Sequence, residues 1–167
     1  MVESTGEALS PMPEKDLGEE IFVRAFEAAP VFLDSNVFLR HLTQDVQDQA
    51  ERASAEFDRI ARGELTVVIT DLVVAEIVFT LERLYRLPKA DIQQHVSYLL
   101  ALPGIQLAAK ARFSDIFALY VDQNVSFGDA YSVVTLRRDG RLTAITFDRH
   151  FDRIPGVDRR EPERRRE

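Results

Sequence analysis

A chain of 167 residues that is 46% hydrophobic is long enough for one domain with a sizeable core. It contains no cysteine, which excludes disulfides, thiol catalysis and the usual structural zinc sites. The net charge of −7 argues against a broadly basic nucleic-acid footprint, yet its distribution is uneven. Residues 1–30 carry Lys15 and Arg24 against seven acids, whereas from Arg137 to the end ten arginines face seven acids. No apolar run approaches the ~18 residues of a membrane span, and no basic region followed by an apolar one opens the chain. A cytoplasmic location without membrane attachment is expected.

Residues 1–13 are polar and read as a disordered start. From Pro13 to Ala29, Leu17, Ile21, Phe22, Ala25 and Phe26 recur at helical spacing and predict an amphipathic helix, which Pro30 ends. Residues 1–30 are thus read as an extension before the main domain. Val31-Phe32-Leu33 then runs straight into Asp34, the pattern of a strand buried on both faces. A helical turn over Val37–His41 follows. Residues 44–62 predict a solvent-facing helix with a stripe of Val46, Ala50, Ala53, Phe57 and Ile60, ended by Gly63.

Leu65–Ile69 predicts a second buried strand, and Thr70 a cap for a helix from Asp71 to about Arg86. Pro88 suits the first turn of a helix ending near Leu102, and Pro103-Gly104 a turn before a short strand at Ile105–Ala108. A helix over Phe113–Val121 turns Phe113, Ile116, Phe117 and Tyr120 inward. Ser126 opens another, running to Arg138 before Gly140. Leu142–Phe147 repeats the opening pattern, an apolar strand ending in Asp148. Asp158–Glu167 reads as a solvated tail. Strands alternating with helices predict an α/β domain, residues 31–157, with a mostly parallel sheet.

Two strands that end in aspartate would place both carboxylates on the carboxyl edge of one sheet, where open α/β folds bind ligands. Glu76 interrupts an apolar helix, a costly place for a charge unless it is paired or coordinated. Its structural alternatives are an ion pair with Arg83 or a hydrogen bond to Thr80. Asp34 suits an N-cap, and Asp129 stands at the third position of a capping box opened by Ser126. Asp148 has no clear helix after it to cap. Asp152 and Asp122 are near enough to serve as substitutes. His41, His95 and His150 do not form a metal-ligand spacing. Carboxylate oxygens without thiolates favour a hard cation, Mg²⁺ or Mn²⁺, and such a site at a sheet edge is read as that of a nuclease working by metal-assisted hydrolysis.

The segments Phe32-Leu33-Asp34-Ser35-Asn36, Val74-Ala75-Glu76-Ile77, Phe127-Gly128-Asp129-Ala130 and Thr146-Phe147-Asp148 resemble, in order and spacing, the motifs of PIN-domain nucleases. The nearest likeness is to VapC-type toxins of bacterial type II toxin–antitoxin systems. The resemblance implies a three-layer α/β/α fold whose four acids, Asp34, Glu76, Asp129 and Asp148, meet at the sheet edge as catalytic metal ligands. Asn36 would orient the first acid, and Thr146 would stand beside the last. It further implies Mg²⁺ or Mn²⁺, cleavage of single-stranded RNA, a homodimer and a small antitoxin partner. Arg40, Arg149, Arg137, Arg138 and Arg141 are candidates for gripping the RNA backbone. Such toxins usually begin almost at the first strand, so residues 1–30 are a departure.

Two other readings compete. A haloacid-dehalogenase-type phosphatase would want a second aspartate two residues after the first, where this chain has Asn36, and a lysine better placed than Lys89 or Lys110. Alternatively the acids are caps and ion pairs in a catalytically silent PIN-like scaffold that binds a partner.

Overall fold

The computed structural model describes residues 30–163. The expected N-terminal helix lies outside the described residues. The described chain forms α1 (Ser35–Thr43), α2 (Gln47–Ala61), β1 (Val67–Val68), α3 (Asp71–Arg83), α4 (Lys89–Leu100), β2 (Ile105–Gln106), α5 (Arg112–Asp122), α6 (Phe127–Leu136), β3 (Leu142–Ile145), a 3-10 turn (Arg149–Arg153) and β4 (Val157–Arg160). Helices on short parallel strands give a three-layer α/β/α architecture of the kind expected.

The central ladder is short. Phe32 bridges Val68 in parallel, and β1 pairs β2 in parallel with Val67 opposite Ile105. Val68 N–H donates to the Val31 carbonyl at 2.8 Å, and Leu33 N–H donates to the Val68 carbonyl at 3.2 Å. Val67, Val68 and Ile69 are buried, as their β-branched character predicts. The first strand departs from expectation. Leu33 is buried, but Val31 is 50% and Phe32 58% exposed, because they form the ladder's last member and no further strand among the described residues pairs with them.

β3 also departs. It pairs in parallel with β4, from Leu142 opposite Val157 to Ile145 opposite Arg160, in a ladder separate from the central one. Ile145 and Phe147 are each 73% exposed, while Leu142 and Ala144 face inward. The expected buried strand is therefore half-buried, since only one of its faces lies on protein. Val157–Arg160, expected to be mostly solvated tail, is the strand that pairs with it. Ile154, Phe151 and Val157 pack against the core and anchor this module.

The helices follow their apolar stripes. Ala50, Ala53, Phe57 and Ile60 are buried on α2, while Val46 sits outside it as an exposed N-cap. Gly63 follows with φ +71°, the left-handed conformation that favours glycine. Thr70 caps α3 by accepting from Val73 N–H at 3.4 Å. Phe113, Ile116, Phe117 and Tyr120 are all buried on α5. α3, α4 and α6 stop two or three residues earlier than their apolar patterns predict, at Arg83, Leu100 and Leu136. At the centre Phe127 meets Phe117, Tyr120 and Phe79 with ring centroids 5.5, 5.9 and 6.3 Å apart. That cluster ties the start of α6 to α5 and α3.

A polar tie joins α1 to the α3–α4 connection. Asp45 accepts two hydrogen bonds from Arg40 Nη1, at 2.7 and 2.8 Å, and one from the Tyr85 hydroxyl at 2.6 Å. The Tyr85 and Arg40 bonds hold the Asp45 carboxyl down to about 2. Its folded pKa lies below the free value of about 4, so its stabilisation is complete above that pH and is lost as pH falls towards 2. In urea titrations the parent should therefore lose stability between about pH 4 and 2 more steeply than Asp45→Asn. A second expectation concerns Gly104. A β-carbon there would lie 2.2 Å from the Leu65 carbonyl oxygen and 2.8 Å from that of Ile60. Gly104→Ala should cost about 1–3 kcal/mol in the same titration, the usual penalty of overpacking.

Candidate metal and nuclease site

Each motif acid stands where a helix begins or on an exposed helix face. Asp34 is the N-cap of α1. Its Oδ1 accepts from Asn36 N–H and from Asn36 Nδ2, both at 2.9 Å. Asn36 thus orients the first acid as expected, and Asp34 Oδ2 has no hydrogen-bond donor among the described residues. Asp129 lies in the first turn of α6. Its N–H donates to Ser126 Oγ at 3.1 Å, and Ser126 Oγ donates to its Oδ2 at 2.7 Å. The expected capping box forms with the carboxylate on the serine hydroxyl, and Oδ1 is left open.

Asp148 was expected to have nothing to cap. It caps the 3-10 turn instead: Oδ1 accepts from His150 N–H at 2.8 Å and pairs with His150 Nδ1 at 2.9 Å. Asp148 N–H donates to Thr146 Oγ1 at 3.0 Å, so the Thr146 hydroxyl steadies the backbone that carries this acid. Glu76 corrects a second expectation. It is exposed, because α3 turns Leu72, Glu76 and Arg83 outward while Val73, Val74, Ile77, Val78 and Leu81 are buried. Burial therefore does not single out Glu76. Neither structural alternative is seen: it pairs with no described residue, and Arg83 lies 5.5 Å over the Phe79 ring.

The elements bring some of these acids towards one another and leave one apart. The Phe79–Phe127 contact holds α3 against the start of α6, one turn from Glu76 and two residues from Asp129. Asp34 starts α1 off the central ladder, whereas Asp148 ends a strand of the separate β3–β4 ladder. Among the described residues no group of three or more acids or histidines is close enough to hold a metal ion. The donor chemistry nevertheless suits a hard divalent cation: four carboxylates, each with at least one oxygen open and no sulfur ligand.

The arginines divide. Arg40 is committed to Asp45 and to Gln49, the latter at 2.8 Å. Arg137 donates to the Pro155 carbonyl at 2.9 Å, and Arg138 to those of Thr135 and Arg137. Arg149 and Arg141 are exposed and make no side-chain hydrogen bond to described residues. The substitute Asp152 is taken by Arg159 at 2.8 Å, and Asp122 lines an open cleft of about 460 Å³ with Asp115 and Arg137. His41 stacks on Phe57, where burial lowers its pKa; it serves packing.

One cluster was missed. Asp71 follows β1 at the same edge and accepts from Arg112 Nη2 and from the Tyr131 hydroxyl. That bond, with burial, raises the Tyr131 pKa. Asp71 Oδ1 and Arg112 Nε are buried without a described partner. The signal was available: Asp71 follows an apolar strand almost as directly as Asp34 and Asp148. The cluster ties the starts of α3 and α5 to α6.

Residues 31–157 match the sequence profile of the PIN domain. The chain belongs to the PIN-domain family. PIN domains are generally nucleases, typically dependent on divalent metals. None of the curated proteins compared with the chain matches it. The PIN match covers all four motif acids. No described helix is long and apolar enough to cross a membrane.

Because Asp34 and Asp148 are caps, charge and capping must be separated by substitution. Asp34→Ala should lower stability by about 0.5–2 kcal/mol, whereas Asp34→Asn keeps an acceptor and should stay near the parent in thermal melts.

Proposed function

We propose that this PIN-domain protein is a divalent-metal-dependent endoribonuclease that hydrolyses single-stranded RNA, and that it acts as the toxin of a toxin–antitoxin pair. One observation supports the reading above the others: the PIN match spans four acids in motif order, each with an oxygen open to solvent. Asp34 and Asp148 would hold Mg²⁺ or Mn²⁺, with Glu76 and Asp129 completing the set. The bound ion would supply an acidified water and steady charge on the phosphate.

The chain's own residues supply the rest. Asn36 fixes the rotamer of Asp34, and Thr146 fixes the backbone of Asp148. His150 shares the Asp148 carboxylate and stands on the same exposed turn. Arg149 and Arg141, exposed and free of carboxylate partners among the described residues, would meet backbone phosphates. Water adds to phosphorus and the 3′-oxygen leaves, giving a 5′-phosphate and a 3′-hydroxyl. The toxin role, the homodimer and the antitoxin partner rest on the likeness of the four motifs to VapC-type chains.

A second reading has an observation in its favour. No three of the acids stand close enough among the described residues to hold a metal ion, as they need not in a partner-binding scaffold. Cleavage of single-stranded RNA with and without Mg²⁺ or Mn²⁺ separates the two. The nuclease reading expects metal-dependent cleavage that Asp148→Asn reduces by about 10²-fold or more, with melting unchanged. It also expects Mn²⁺ at a hundred times its dissociation constant to stabilise the parent by about 2.7 kcal/mol, and Asp34→Asn far less. Neither cleavage nor a melting shift would leave the scaffold. Growth arrest on expression, relieved by Asp148→Asn, is the outcome expected of a toxin.

A further inference from the structure

Two contacts join α3 to α6, and they bracket the two acids that these helices carry. At one end the Tyr131 hydroxyl and Arg112 Nη2 both donate to Asp71 Oδ2, Asp71 being the first residue of α3 and Arg112 the first of α5. Arg112 Nη2 also donates to the Tyr131 hydroxyl at 3.2 Å, and its guanidinium stands 5.3 Å over the Tyr131 ring. At the other end the Phe79 ring meets Phe127 and passes beside Gly128, where a β-carbon would lie 3.8 Å from Phe79 Cζ. Asp71 then Phe79 along α3 thus meet Tyr131 then Phe127, in reverse order, along α6. Glu76 falls between the two contacts on α3, and Asp129 falls between them on α6.

The two contacts differ in kind. Apolar packing is non-directional, so the phenylalanine pair holds α3 to α6 without fixing how far one is shifted along the other. Hydrogen bonds do fix it, because they are lost beyond about 3.5 Å, and a shift of one helical residue is already about 1.5 Å. The polar cluster is poorly suited to stabilising the fold as such. The Asp71 and Arg112 side chains are only 27% and 26% exposed, and Asp71 Oδ1 and Arg112 Nε are buried without a described partner. Ion pairs withdrawn from water recover little beyond their desolvation, and their best-attested use is to specify register. Register matters here because a hard cation such as Mg²⁺ takes its oxygens at about 2.0–2.1 Å in near-octahedral geometry. The described hydrogen bonds of the Asp129 side chain stay within its own turn, so the shift of α6 on α3 sets its distance from Glu76.

We propose that Asp71, Arg112 and Tyr131 are positioning residues for the metal site: their contacts set the register of α3 on α6, and with it the separation of Glu76 and Asp129. The proposal rests on the nuclease reading, since it concerns two of that site's acids. The three residues act through the helices and not on the ion or the RNA.

Tyr131→Phe keeps the ring and removes its hydroxyl, and Arg112→Met keeps an unbranched stem and removes the guanidinium. In the full chain, well below its melting temperature, each should weaken Mn²⁺ binding by about 10–100-fold, the usual cost of losing a group that orients a ligand. Free Mn²⁺ is followed by electron paramagnetic resonance. At fixed low Mn²⁺, kcat on single-stranded RNA should fall by a similar factor while KM stays near that of the parent. Ile116→Val, a core substitution on the helix that carries Arg112, should lower the melting temperature and leave Mn²⁺ affinity unchanged. If the parent binds Mn²⁺ and either cluster variant binds it as tightly, the positioning role is overturned and the nuclease reading stands. If Ile116→Val weakens Mn²⁺ binding as much as the cluster variants do, the cluster supplies stability alone and the proposal is again overturned. A parent that binds no Mn²⁺ and cleaves no RNA overturns both.

Discussion

Both described strand ladders, β1 with β2 and β3 with β4, are parallel, and that constraint organises the rest. Parallel strands need crossovers, so a helix must follow each strand before the chain can return. A helix that follows a strand starts at that strand's carboxyl end, and the residue at the turn is asked to cap it. Asp34, Thr70 and Asp148 occupy those turns and accept from Asn36, Val73 and His150 N–H groups. The acidic positions of the PIN motif are therefore also structural positions.

This dual use has a physical consequence. A capping carboxylate spends one oxygen on backbone donors and is held in one rotamer by them, leaving the second oxygen outward. Asn36 and Thr146 add to that fixation from two residues away. A hard cation asks for oxygens already oriented, and a cap supplies that. Glu76 is the exception, free of caps and pairs among the described residues and carried on the exposed face of α3.

Much of the domain was legible from periodicity. The stripes on α2 and α5 and the serine and threonine caps stand where hydrophobic spacing and side-chain chemistry put them. The order of the four acids was legible as well, because a motif is a linear pattern. What misled was burial. Val31-Phe32 and Ile145-Phe147 look alike whether a strand is covered on two faces or on one, since an apolar run records composition and not neighbours. Glu76 was misread for the same reason: a helix with many apolar residues can still keep a narrow polar face. Asp148 was misjudged because a 3-10 turn of five residues has too little periodicity to announce itself.

By itself the sequence determined the helices, the caps and the linear order of the acids, because these depend on interactions within a few residues. Only the tertiary structure decided which strands pair, which apolar faces lack a described neighbour, and that Asp71, Arg112 and Tyr131 meet across three helices. Those outcomes come from contacts between residues up to 60 positions apart, as Tyr131 is from Asp71. Local chemistry does not encode them; they follow from how helices and ladders share a common core.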